Sequence, residues 1–107
     1  MQEDQTATLS EAVSAQPHGV VLAWSFYNDG AAVDSDWSYF FVPKHHVLNH
    51  NQAGMYCGAI SPWQHMGKYV YVGDTAIYGN SVNDTTTTSN GVTTHNDKYV
   101  LRYVIGV

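Results

Sequence analysis

Cysteine occurs once in the 107 residues, at Cys57. No intrachain disulfide can form and no cysteine zinc site can be built, so the fold has to rest on packing. Basic residues are nearly as scarce, with four Lys and Arg against nine Asp and Glu and a formal charge of -5. Such a chain has no cationic surface with which to neutralise phosphates, and nucleic acid is not an expected partner. No apolar run approaches the ~18 residues of a membrane span. The acidic opening Met1-Gln2-Glu3-Asp4 lacks the basic-then-apolar signature of a signal segment, so neither membrane insertion nor signal-directed export is expected. Charge of either sign is low, 12% of residues against a norm of about 25%. A small domain with so few charges is expected to have part of its surface covered by another subunit.

What the chain has is apolar and aromatic bulk, 44% hydrophobic residues including eight tyrosines and three tryptophans. The length suits one hydrophobic core, so residues 1–107 are read as a single domain. Period-two alternation is clearest from Gly19 to Asn28, where Val20, Leu22, Trp24 and Phe26 form an apolar face. Thr6 to Val13 is read as its hairpin-like partner across the turn Gln16-Pro17-His18-Gly19. Asn28-Asp29-Gly30 ends the strand. Asp36 to Val42 places Trp37, Tyr39 and Phe41 opposite Ser38, Phe40 and Val42, an aromatic density that suggests a strand between two packed layers. Met55 to Ile60, Lys68 to Val72 and Ala76 to Tyr78 read as further strands. Lys44 to Asn51 is assigned no regular structure.

Asn80 to Asp97, rich in Asn, Asp, Ser, Thr and Gly, reads as a long exposed loop. The closing run Tyr99 to Val107 is apolar on both faces except at Arg102, as a central buried strand would be. Short strands between turns, with no helix of ten residues, predict an all-β fold: an antiparallel β-sandwich, jelly-roll-like, in an oligomer.

Several segments also have a specific likeness. Leu9 to Gln16, Gly19 to Ser25, Phe41-Val42-Pro43-Lys44, Lys68 to Val72, Ile77 to Asn80 and Tyr99 to Val107 together resemble the C-terminal module of tail-fibre and baseplate proteins of siphophages and prophages of Gram-positive bacteria. The resemblance implies a trimeric, non-enzymatic attachment domain at the distal end of a virion tail, extracellular after release. Its partners would be other tail proteins and a bacterial surface saccharide or protein receptor. A purely structural trimerising cap and a glycan-degrading enzyme are the alternatives. The resemblance carries no catalytic or ligand residue with it.

The residues themselves offer three chemistries. Six histidines, chiefly His45, His46 and His50, invite a metal, but adjacent imidazoles diverge on a strand and no carboxylate lies nearby, so surface histidines are expected, and neither a metal nor a cofactor. Asp29, Asp34 and Asp36 are the only close carboxylates in the ordered part, and each sits at a turn where aspartate bonds its own backbone, so no catalytic pair is expected. Cys57, inside an apolar strand, reads as an inert buried thiol. Stacking chemistry remains: an exposed ring covers a sugar face while neighbouring polar groups bond its hydroxyls. Trp37 and Trp63 are the candidate rings, with Asp34, Asp36 and His65 as the hydrogen-bonding neighbours.

Overall fold

A computed structural model describes residues 5–28, 30–60 and 65–107. Its strands are β1 (Thr6–Thr8), β2 (Gly19–Asn28), β3 (Ala31–Ala32), β4 (Ser38–Pro43), β5 (Gly54–Ile60), β6 (His65–Val72), β7 (Ala76–Tyr78), β8 (Thr86–Ser89), β9 (Val92–His95) and β10 (Tyr99–Gly106). One short helix, α1 (Lys44–Asn49), and two 3-10 turns, Val13–Ala15 and Ser81–Asp84, complete the described elements. The protein is mostly β and sandwich-like, as its alternation predicts.

Two sheets face each other across one core. In the four-stranded sheet, β2 is central, with β10 on one edge, while β4 and β3 each pair with β2 along its other edge, β4 with Gly19 to Trp24 and β3 with Tyr27 and Asn28. In the six-stranded sheet, β6 pairs with β5 along one edge, while β7 and β9 share its other edge at opposite ends. β1 extends the sheet beyond β7, and β8 extends it beyond β9. Among the described residues every pairing is antiparallel except the parallel bridge His65↔Thr94. The alternating faces close over Val20, Leu22, Trp24 and Val42 from one sheet and Cys57, Met66, Val70, Val72 and Ile77 from the other. Trp24 is fully buried and stacks on Tyr99, with ring centroids 5.9 Å apart.

The gap between β7 and β9 is closed by a side chain. Asn83, 1% exposed, accepts from Tyr69 N at 2.8 Å and donates to Tyr69 O at 2.8 Å. Its amide thus presents the acceptor and donor that a neighbouring strand would have supplied. The Asn83-Asp84-Thr85 sequence resembles a glycosylation acceptor, but with both amide groups engaged and buried it cannot serve as one.

Four local expectations are corrected. Thr6 to Val13 does not pair with β2: β1 joins β7 in the opposite sheet, and Ser14 donates from N and Oγ to the Asp74 carboxylate at 2.8 and 3.0 Å, which pins the following turn there. Lys44 to Asn49 is helical, because Pro43 holds the extended φ of -68° that precedes a first turn and Val47 finds a buried place. Asn80 to Asp97 is not a loop. Asn90 and Gly91 take φ of 52° and 78°, the two left-handed residues of a type I′ turn, and they close the β8–β9 hairpin.

The fourth correction is the C-terminal strand, which is an edge rather than a centre. β10 slips register between Leu101 and Tyr103, so Arg102 is a bulge. A one-residue slip exchanges the faces. Tyr99, Leu101 and Val104 pack on the core, while Tyr103 and Ile105 turn outward at 55% and 44% exposure. The backbone end is still tied down, through Val107 N to Gly19 O at 3.0 Å and His18 N to Val107 O at 2.8 Å.

Candidate functional site

The outer face of the four-stranded sheet carries rows of large side chains set by register. Tyr39, Ala23 and Tyr103 lie abreast on β4, β2 and β10, and Phe41, Val21 and Ile105 form the next row. Tyr39 is 64% exposed, Phe41 49%. This face is not covered by a second layer among the described residues, so β4 does not lie between two layers as its aromatic content suggested. The density of rings has a local use instead. Ala23 and Ser25, small and fully buried, lie beneath the rings.

Trp37 organises one end of that face. Its indole is parallel to Tyr39 at 6.2 Å and to Tyr103 at 5.9 Å, in offset stacks of a favourable kind. The Arg102 guanidinium stands 5.1 Å from the Trp37 ring centre while donating from Nη1 to Ser25 Oγ at 3.0 Å. Trp37 Nε1 donates to Asp34 Oδ1 at 2.8 Å. Four neighbours thus fix one ring: a carboxylate at its N–H, a cation over its π system, and two tyrosines stacked against it. The stack presents the exposed rings of Tyr39 and Tyr103 around the half-buried Trp37, while the Asp34 and Arg102 side chains supply charged acceptors and donors beside them.

The sequence-derived candidates divide. Asp34 and Trp37 lie together, and Asp34 accepts from the indole N–H rather than capping its own turn. Asp36 is exposed and adopts a φ of 54°, which turns the chain into β4. His65 opens β6 on the six-stranded sheet, exposed and apart from Trp37. Trp63 and Asp29 lie outside the described residues. Arg102, Tyr39 and Tyr103 were not singled out from sequence. The available signal was Arg102 itself, a cation in an apolar run that marks a break in alternation.

A second feature lies between the sheets, a cleft of about 480 Å³ bordered by Tyr27, Lys68, Asp84, Asp97, Lys98 and Tyr99. Lys68 is only 3% exposed. Burial lowers its amine to about 8, against the pull of Asp97 and Asp84. The cleft's cations are answered within the protein: Lys68 Nζ donates to Asn83 O and Lys98 Nζ to Asn28 Oδ1, each at 3.3 Å. Cys57, across the strand pair from Lys68, is buried as expected, and burial pushes its thiol up to about 12. That value removes it from nucleophilic chemistry near neutral pH.

Around α1, the His45 and His46 rings each lie near His50, at 6.0 and 6.3 Å. Among the described residues no group of three or more His, Cys, Asp or Glu is placed to hold a metal ion. No described helix is long and apolar enough to cross a membrane. No protein-family model, curated protein or solved structure matches this chain.

Proposed function

We propose that this chain is a host-attachment module of a bacteriophage or prophage tail, and that it recognises a bacterial surface saccharide through the ring stack of the four-stranded sheet. The observation that carries the reading is the fixed Trp37, with Asp34 at its N–H and Arg102 over its face, set between two exposed tyrosines. Stacked aromatics provide contact area at low entropic cost, and rigid placement beforehand lessens what binding must order. The likeness of the segments from Leu9 to Val107 to tail modules of Gram-positive phages supports the biological setting. Attachment requires recognition without bond cleavage, so no residue is assigned a catalytic role.

Purified protein incubated with whole cells of several strains tests this reading. Binding should be strain-dependent, should survive protease treatment of the cells, and should be lost when surface saccharides are stripped. Binding that is indifferent to saccharide removal, or release of sugar fragments by the protein, would overturn it.

A second reading rests on a different observation. The row Phe41, Val21 and Ile105 is apolar and adjoins the ring stack. A face of that kind suits a subunit interface, most simply around the threefold axis that the resemblance implies. Under this reading the domain is a trimerising tip. Phe41→Ser and Ile105→Ser should then lower the oligomeric state in sedimentation without changing the strand signature in circular dichroism.

A further inference from the structure

The outer face of the six-stranded sheet holds a second set of rings, built differently from the first. Tyr56 on β5 is directly abreast of Tyr69 on β6, and the next row along is Gly58 beside Gly67. A Cβ placed on Gly67 would fall 2.1, 2.6 and 2.8 Å from Oη, Cζ and Cε2 of Tyr56, and one placed on Gly54 would meet the end of Tyr69 as closely. Both rings therefore lie down across the sheet in space that only glycine leaves open. Tyr56 remains 56% exposed, so its upper surface faces outward. The rings border a groove of about 190 Å³ completed by Val82, Thr87, Thr94 and Asn96. Asn96 is 4% exposed and donates from Nδ2 to Thr87 Oγ1 at 2.8 Å.

We infer that this groove is a second ligand site, one that seats a single uncharged pyranose ring on Tyr56 and Tyr69. None of the six lining side chains is charged, which favours a neutral ligand over an anion or a cation. A flat, chiefly apolar π surface beside the Thr87 and Thr94 hydroxyls matches a pyranose, which has an apolar face of C–H bonds and a rim of hydroxyls. The volume is below the ~300–1,000 Å³ of drug-sized pockets, so it suits one ring and not an extended chain. The site rests on the saccharide reading for its biological use only, since it shares no residue with the Trp37 face. Two such surfaces on opposite sheets would let one module hold a polymeric surface glycan at two points.

The test is a nuclear magnetic resonance titration of the isotope-labelled protein with glucose, galactose and N-acetylglucosamine, each separately, with glucuronate as the charged control. At least one neutral sugar should shift the backbone amides of Gly58, Gly67, Tyr69 and Asn96 saturably, and more strongly than glucuronate does. Tyr56→Ala should weaken that binding by roughly tenfold or more, the scale of an interfacial aromatic anchor. Gly67→Ala is the sharper variant, because it keeps the tyrosine and lifts its ring by displacing only the mobile end of a side chain. It should fold and bind as poorly as Tyr56→Ala. Shifts confined to the Trp37 face would overturn the inference while leaving the attachment proposal intact. So would an absence of saturable shifts with all three neutral sugars, or unchanged affinity in a folded Gly67→Ala protein.

Discussion

At residue 68 a lysine occupies a core-facing place on β6, in line with Met66, Val70 and Val72. Its burial makes the charged form costly, and the sign of the effect follows from linkage. Up to about pH 8 the amine is charged in both folded and unfolded chains, so the cost is constant; above that, the folded protein releases a proton that the unfolded chain keeps until about pH 10.4, and stability rises. Cys57 acts in the opposite sense, since its unfolded thiol ionises near pH 8.5 while the buried one holds its proton to about 12, so stability falls as pH rises past about 9. Lys68→Met should therefore gain on the order of 1–3 kcal/mol near neutral pH and lose the rise between about pH 8 and 9, as read by urea denaturation. A less stable Lys68→Met protein would show instead that the amine is held by more than Asn83 O. Cys57→Ala should cost about 1–2 kcal/mol near neutral pH and flatten the alkaline decline, with cell binding intact. The sequence contained the warning about Lys68 in plain alternation, Met66, Lys68, Val70, Val72, but reading the strand from residue 68 onward hid which face the lysine shared.

Among the elements, β6 depends on Asn83 for part of its pairing. Asn83→Ala would leave the N–H and C=O of Tyr69 without those partners in a closed part of the sheet, which should cost about 2–4 kcal/mol in chemical denaturation. A loss below about 0.5 kcal/mol, the range of a neutral surface change, would mean that water replaces the amide without penalty. Strands with strict alternation were legible from sequence: β2 occupies the expected Gly19 to Asn28, and β5, β6 and β7 appear where apolar residues alternate. Those that failed did so for identifiable reasons. The bulge at Arg102 breaks the phase of β10, so a run that looks two-sided is really two one-sided halves. The β8–β9 hairpin is made of threonines, whose polarity resembles a loop although their branched side chains favour strands. Asn90-Gly91 was the signal that could have found it.

For the whole molecule, the sandwich leaves aromatic surfaces on both outer faces, which few small monomeric domains do. The Trp37 face was half legible: Asp34 and Trp37 were close in sequence and are bonded in space, whereas Tyr103 and Arg102 arrive from the far end of the chain through register. Pairing a ring with residues more than sixty positions away is tertiary information that no local pattern contains. The oligomer expected from low charge has a surface suited to it in the Phe41 and Ile105 row, and sedimentation of the two serine variants separates that use from ligand binding. The central claim is that Trp37 anchors attachment. Adsorption isotherms of the wild-type protein and Trp37→Ala on intact cells of one binding strain, at matched oligomeric state, test it most directly. The variant should fold, keep its strand-rich circular dichroism and bind roughly one to two orders of magnitude more weakly. A folded Trp37→Ala protein with the wild-type isotherm would contradict the claim.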